Sequence, residues 1–263
     1  MYTRHLLLAG GVTMLLLLVA CCYYCPPAHM AVRQLLQLPL IPARLHQTWK
    51  RKQLSPEYQA NQDTWRTHNP SLQVHFYDDQ DIAVFVRQHY PQYWQLYQAR
   101  TRPVERADLL RYMAVHHHGG FYADMDTSCH KSLEPLRRHP CVVGIEFFGE
   151  DGEPQYLQWF FGAVAGHPLM LAVLDEVQRR HESGKWDHEH PDVQTLKVTG
   201  PQAFTAAVRT ILRTDPNSIE VHEPGVFGAY RMHLQPAHMR NKAYLTHHFH
   251  GEWKEYWPQH LRD

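Results

Sequence analysis

The stretch from Pro103 to Asp126 constrains this chain more than any other. Pro103 suits a first helical turn, where its missing N–H costs nothing. Residues 104–118 then run without a breaker and are rich in Leu, Met and Ala, which favour helix. Gly119 and Gly120 stop that helix, since glycine adopts the positive φ that ends a last turn. Residues 121–126, FYADMD, follow at once and read as a strand. Its period of two sets Tyr122, Asp124 and Asp126 on one side and Phe121, Ala123 and Met125 on the other, towards a core. On the helix, Asp108 and Arg111 lie three apart and share a face, as part of one functional unit with the acids or as a surface ion pair. Two carboxylates delivered together at a strand end suit Mg²⁺ or Mn²⁺. Such an ion bridges diphosphate oxygens and neutralises a departing nucleoside diphosphate.

The 263 residues allow one large domain or two small ones. Lys plus Arg equals Asp plus Glu, so formal charge is zero, and no basic stripe suggests a nucleic-acid partner. The 22 histidines make the chain cationic in mildly acidic surroundings. Residues 6–25 are uncharged and apolar, and 20 residues of helix cover the roughly 30 Å of a bilayer core. Arg4 precedes this run and the next basic residue is Arg33, so the positive-inside tendency leaves the bulk of the chain on the far side. The expected organisation is a cytoplasmic tail over 1–5, a single-pass type II anchor over 6–25, a short stem over 26–40 and a lumenal body over 41–263. A cleaved signal peptide and a lipoprotein box at residues 18–21 are the competing readings. Cys21, Cys22 and Cys25 are lipid acceptors or apolar filler, and Cys129 and Cys141 are a pair or two buried thiols.

Beyond the central run, strands are expected over 41–49, 72–77, 141–148, 219–222 and 244–250, with a buried strand or turn over 156–165. Helices are expected over 54–68, 81–90, 169–180 and 202–212. Alternation of strand and helix in the first half argues an α/β fold with a mostly parallel central sheet. Ligands in such sheets sit at the carboxyl ends of strands, where Asp124 and Asp126 fall. In residues 247–253, HHFHGEW, His247 and Phe249 would share one face of the late strand, and one imidazole there could complete a metal sphere opposite Asp126. Trp49, after the first strand, either stacks on a nucleotide base or plugs the core. His116, His117 and His118 read as an exposed helix end, where cationic character suits the dipole.

Several separated segments carry a family resemblance. They are IPARLHQTW (41–49), RADLLRY (106–112) with GGFYADMD (119–126), QWFFGAVAGHP (158–168), VTGP (198–201) and HHFHGEW (247–253). In this order they resemble the glycosyltransferases of family 32, the type of the yeast initiating α-1,6-mannosyltransferase. The resemblance implies a GT-A fold, Rossmann-like in its central sheet, a nucleotide-sugar donor, retention of anomeric configuration and dependence on Mn²⁺ or Mg²⁺. It implies GDP-mannose as donor, a glycan acceptor and a Golgi membrane location. Carried over by position, Asp108, Arg111 and Asp124 look like donor-sugar or ribose contacts, with Tyr122 beside them. Asp126 looks like the direct metal ligand, Trp49 like the base-stacking residue and His247 like the family's late histidine. Glu252 stands where the family has Ser, and is a further candidate metal ligand. Transfer to inositol phosphoceramide, or a silent sugar-nucleotide-binding module, are the alternatives. The absence of a second hydrophobic segment near the C-terminus favours the glycan.

Overall fold

The structure, a computed structural model, describes residues 38–228 and 243–254. Two units are distinguished, Met1–Leu40 and Ile41–Asp263. Of the first, only residues 38–40 are described, and they form no regular element. The expected tail and anchor, and the stem up to residue 37, lie outside the described residues. Among the described residues, no helix is long and apolar enough to cross a membrane.

The second unit begins with β1 (Arg44–Thr48), α1 (Pro56–His68), β2 (Gln73–Tyr77), α2 (Asp79–His89), α3 (Trp94–Ala99) and α4 (Pro103–His118). It continues with β3 (Gly120–Ala123), β4 (Thr127–Cys129), β5 (Cys141–Phe148), β6 (Pro154–Tyr156) and β7 (Phe160–Ala163). Then come α5 (Pro168–Ser183), α6 (Pro191–Val198), α7 (Pro201–Thr214), β8 (Glu220–His222) and β9 (Leu245–His247). Helices α1, α4, α5, α6 and α7 all start on proline, whose absent N–H falls among donors that have no intrahelical partner anyway. Helix α2 starts on a capping box between Asp78 and Asp81. Helix α6 is only eight residues long, and the sequence reading has no helix there.

The main sheet has the order β2-β1-β3-β7-β5-β6, with β8 beside β5. β1 pairs in parallel with β2 and β3, and β5 with β8. β7 is antiparallel to both β3 and β5, and β6 is antiparallel to β5. Strands β1, β2, β3, β5 and β8 therefore all point one way, and only β6 and β7 oppose them. The helices between β1, β2 and β3 impose the parallel part; β5, β6 and β7 follow one another through short connections, which permit antiparallel neighbours.

Both faces of the sheet are covered. One core joins Leu109, Tyr112, Tyr122, Phe161 and Phe204, and the other joins Leu45, Trp65, Phe121, Phe160 and Leu245. The alternation in β3 thus separates two cores rather than core from solvent, and Tyr122 is as buried as Phe121. Cys129 and Cys141 are free buried thiols, one in each core. The double glycine sets the step from α4 into β3. Gly119 has φ +64° and Gly120 φ +107°, and a Cβ on them would lie 2.7 Å from Ala165 N and from Arg44 O respectively. No other residue lets the helix end so close to β1.

Candidate active site

β3 ends at Ala123, three residues earlier than a strand carrying both acids requires. Asp124 and Asp126 instead occupy the turn into β4, with the Asp124 N–H donating to Trp159 O at 2.9 Å. β4 pairs with β9 in a separate two-stranded sheet, and Thr127 lies opposite His247. That pairing brings the C-terminal histidine to the acids. Ligand atoms of Asp124, Asp126 and His247 all lie within 4.8 Å of one another. Two carboxylate oxygens and one imidazole nitrogen form a donor set that fits Mn²⁺, which accepts nitrogen beside oxygen.

Electrostatics divide the two acids. Burial drives Asp124 upward, Arg111 pulls it down and the charge of Asp126 pushes it up, leaving it above the usual carboxylate range. Burial also opposes ionisation of Asp126, but His247, at 3.1 Å, and the His250 N–H, at 3.0 Å, outweigh it and hold Asp126 well below that range. Burial works against a charged His247, and Asp126 overcomes this and raises it. The His247 ring stacks on Trp159 at 4.5 Å, and its buried Nδ1 finds no hydrogen-bond partner among the described residues.

Behind the acids lies Arg111. Its Nη2 stands 2.9 Å from Asp108 Oδ1 and 3.3 Å from Asp124 Oδ1, and its Nη1 donates to Gln158 O at 3.1 Å. The guanidinium lies 4.6 Å from the Tyr122 ring centre, and the Tyr122 hydroxyl donates to Asp124 Oδ1 at 2.7 Å. Burial disfavours the cation, and the surrounding carboxylates more than restore it. Asp108 is 0 % exposed. It accepts from Thr199 Oγ1 at 2.6 Å and Gln158 Nε2 at 3.4 Å, besides Arg111. Burial pushes it up to about 6 despite Arg111. The helix pair is therefore not a surface ion pair: Asp108 orients Arg111, and Arg111 faces Asp124. Gln158 and Thr199 had no role in the sequence reading, although both lie in segments that carry the resemblance. Their contribution depends on long-range contacts that spacing does not encode.

Trp49 is half-buried after β1, its ring 4.4 Å from that of Tyr58 on α1, with the Lys50 ammonium 5.2 Å from its centre. Glu252 is not brought to the acids. Its carboxylate accepts from Tyr58 OH at 2.5 Å and pairs with Lys50 at 3.2 Å. β9 stops at His247, and positive φ at Phe249 and Gly251 turns the chain back over α1, which carries Glu252 away from the metal-binding position. The same bend replaces the expected strand to residue 250. His247 and Phe249 nevertheless remain together, with ring centres 4.0 Å apart. The His248 N–H donates to Asp126 O at 2.8 Å, and Arg102 donates to Trp253 O at 2.9 Å. Residues 248–253 thus form a strap across the turn that holds the acids.

Residues 55–143 match the family described as a glycosyltransferase sugar-binding region containing a DXD motif, and Asp124 and Asp126 lie within the matched residues. The chain is 27% identical over 209 residues to mannosyl phosphorylinositol ceramide synthase CSH1 of Saccharomyces cerevisiae, covering 79% of this chain and 51% of that protein. It is 28% identical over 235 residues to the initiation-specific alpha-1,6-mannosyltransferase of Schizosaccharomyces pombe, covering 73% and 58%. The chain thus spans about half the length of the curated relatives it matches. Among solved structures, PaToxG glycosyltransferase superposes with a TM-score of 0.52 at 16% identity, over 75% of this chain and 78% of that one. The UDP-bound glycosyltransferase domain of the YGT toxin gives 0.53 at 9% identity, over 70% and 80%. The latter two likenesses are of fold, and the fold is the expected GT-A-like α/β one.

Proposed function

We propose that this chain, a relative of the DXD-containing glycosyltransferases, is a metal-dependent retaining hexosyltransferase that moves mannose from GDP-mannose to a glycan. One observation carries the reading: Asp124, Asp126 and His247 converge at the carboxyl edge of the sheet, with a buried Arg111 directly behind them. Asp124, Asp126 and His247 would hold Mn²⁺ or Mg²⁺. A bound cation supplies charge neutralisation at the leaving diphosphate. The chain's own residues do the rest. Asp108 and Gln158 fix the Arg111 guanidinium, which supplies a second, preorganised positive charge near the departing diphosphate. Tyr122 and Arg111 hold the Asp124 carboxylate in place. Trp49 offers an aromatic face to the nucleotide base, and the 248–253 strap screens the site from water.

In a same-face displacement, the bond from the anomeric carbon to the diphosphate breaks, and its electron pair leaves with the diphosphate. The acceptor oxygen bonds that carbon, and its proton passes to the departing phosphate oxygen. No protein nucleophile is required. The test is nucleotide release from a panel of nucleotide sugars, with Mn²⁺ and after chelation, together with the anomeric configuration of the product. Metal-dependent release from GDP-mannose with retention is expected; no release from any donor would overturn the reading. Several relatives are named for inositol phosphoceramide, which makes that lipid the competing acceptor. We further propose that residues 6–25 anchor the chain in the Golgi membrane with residues 41–263 in the lumen, to be tested by protease protection in sealed vesicles.

A further inference from the structure

The carboxyl edge that carries Asp124 also carries the end of β5, because β5 points the same way as β3 with β7 between them. By register Ile145 stands level with Asp124 across β7, so at a sheet spacing of about 4.8 Å the backbone of Glu146 lies about 10 Å from the acids, and Phe147 and Phe148 lie further out. β5 ends in Glu146, Phe147 and Phe148. A register shift between Ile145 and Phe147 marks a bulge there, a device that re-aims side chains. Val142 belongs to the core that holds Trp159 and Leu245, and a Cβ on Gly144 would meet that core's Phe227 and Leu157. The Trp159 indole beside Glu146 belongs to the same core, which places that carboxylate on the same side.

Glu146 is not spent on structure. Gln155 Nε2 donates to one of its oxygens at 2.9 Å. Its charge is felt by His247, and the Trp159 indole lies beside it, the Trp159 Nε1 closing no good hydrogen bond. A half-buried carboxylate, bonded to Gln155 and beside Trp159, thus sits within electrostatic reach of the candidate metal ligand His247. Phe147 and Phe148 then emerge 46 % and 52 % exposed, two of the four large apolar side chains exposed among the described residues. Residues 146–153 hold four carboxylates and no basic residue. Arg209 approaches Glu153 at 3.7 Å, and Lys254 lies within electrostatic reach of Glu146.

We propose that Glu146 and the exposed apolar strand end beside it form an acceptor subsite, and that it takes an uncharged sugar whose hydroxyl donates to Glu146 and whose ring face rests on one of the two phenylalanines, which face opposite sides of β5. The inference rests on the transferase reading above. Sugar hydroxyls are donors, ionised carboxylates accept only, and an aromatic face buries the C–H side of a pyranose. A phosphoinositol headgroup would instead bring a negative charge against the acidic 146–153 hairpin, and like charges juxtaposed at an interface discriminate against that partner. The subsite therefore separates the two acceptor classes that the relatives' names leave open.

The experiment uses the full chain with Mn²⁺ and GDP-mannose, and compares methyl α-mannoside and α-mannobiose with vesicles containing inositol phosphoceramide. The soluble mannosides are expected to accept. In Phe147→Ala/Phe148→Ala and in Glu146→Gln, KM for the mannoside should rise about 10-fold, the loss of one good contact, while the affinity for GDP moves less than about two-fold. Ligand-observed NMR of methyl α-mannoside with GDP and Mn²⁺ present reads the subsite without turnover and should show the same loss. Transfer to the vesicles alone would overturn the proposal. So would an unchanged mannoside KM in both variants. A fall in Mn²⁺ affinity in Glu146→Gln with an unchanged mannoside KM would assign Glu146 to orienting His247 instead. Absence of donor turnover with mannoside binding intact would fail the transferase reading and leave the subsite standing.

Discussion

Lowering the pH from about 7.5 to about 5 should destabilise this fold, and His46 should account for a definable share. His46 is buried in β1. Its Nε2 lies 2.9 Å from Gly119 O, which can only accept, so that nitrogen carries the proton. Its Nδ1 lies 3.3 Å from Tyr77 OH and serves as the acceptor. The neutral ring is satisfied; a cation has no counter-charge and meets His75, His118 and Arg44. Burial first, and these like charges next, lower His46 from 6.5 to about 3. The folded state therefore binds fewer protons than the unfolded chain between these values, so stability rises with pH across that window. Stability is complete above the unfolded value and is lost as pH falls below it. At about pH 5 the loss is RT ln[(1 + 10^1.5)/(1 + 10^−2)], about 2 kcal/mol. For a domain of this size it lowers Tm by about 4–8 °C. Urea unfolding of the wild type and His46→Gln at both pH values isolates the effect, because other titrating groups are common to the two proteins. The variant should lose about 2 kcal/mol less than the wild type on acidification. An equal loss in the two proteins would refute the reasoning. The consequence for function is local, since His46 grips the glycine turn that delivers Asp124.

Asp126→Asn keeps an acceptor for the His250 N–H but removes a carboxylate of the proposed metal site; metal-dependent nucleotide release should fall by about 100-fold or more, since even outer partners of a metal ligand cost about 10–100-fold, and a Mn²⁺ titration of release checks it. Arg111→Lys retains charge but not the planar fork that reaches Asp108, Asp124 and Gln158 together. It should cost about 2–4 kcal/mol in urea unfolding and about 100-fold in turnover, and a variant with wild-type values in both would remove Arg111 from the site. Gly162→Ala would drive a Cβ into the Phe121 ring across the β3–β7 pair. The expected cost is about 1–3 kcal/mol, measured by chemical denaturation.

Much of the fold could be read along the chain because local rules settled it. Pro103 and the glycine pair bound α4 and β3 in the sequence as they do in the structure. β5 was legible to the residue because Val142, Val143, Ile145, Phe147 and Phe148 give it a strong β-branched and aromatic content. Helix α6 was not, since its eight residues are too few to show a clear period and take their order from α5, α7 and the Arg102 contact with Asp192. The end of the late strand failed for a different reason. Alternating His and Phe continue to residue 250, but the backbone at Phe249 takes φ +53°, a choice made by tertiary packing against a strong local pattern.

The sequence by itself determined that two acids leave a helix–glycine–strand unit together, because backbone geometry over a few residues permits little else. It also determined which residue types were present for metal and diphosphate chemistry. Only the tertiary structure decided which distant groups meet them. The β4–β9 pairing seats His247 against Asp126 and turns Glu252 away, and the α/β packing buries Asp108 behind Arg111 and aligns Glu146 on the same edge. Contacts across a hundred residues depend on loop closure and on the burial of two cores. No local spacing records either.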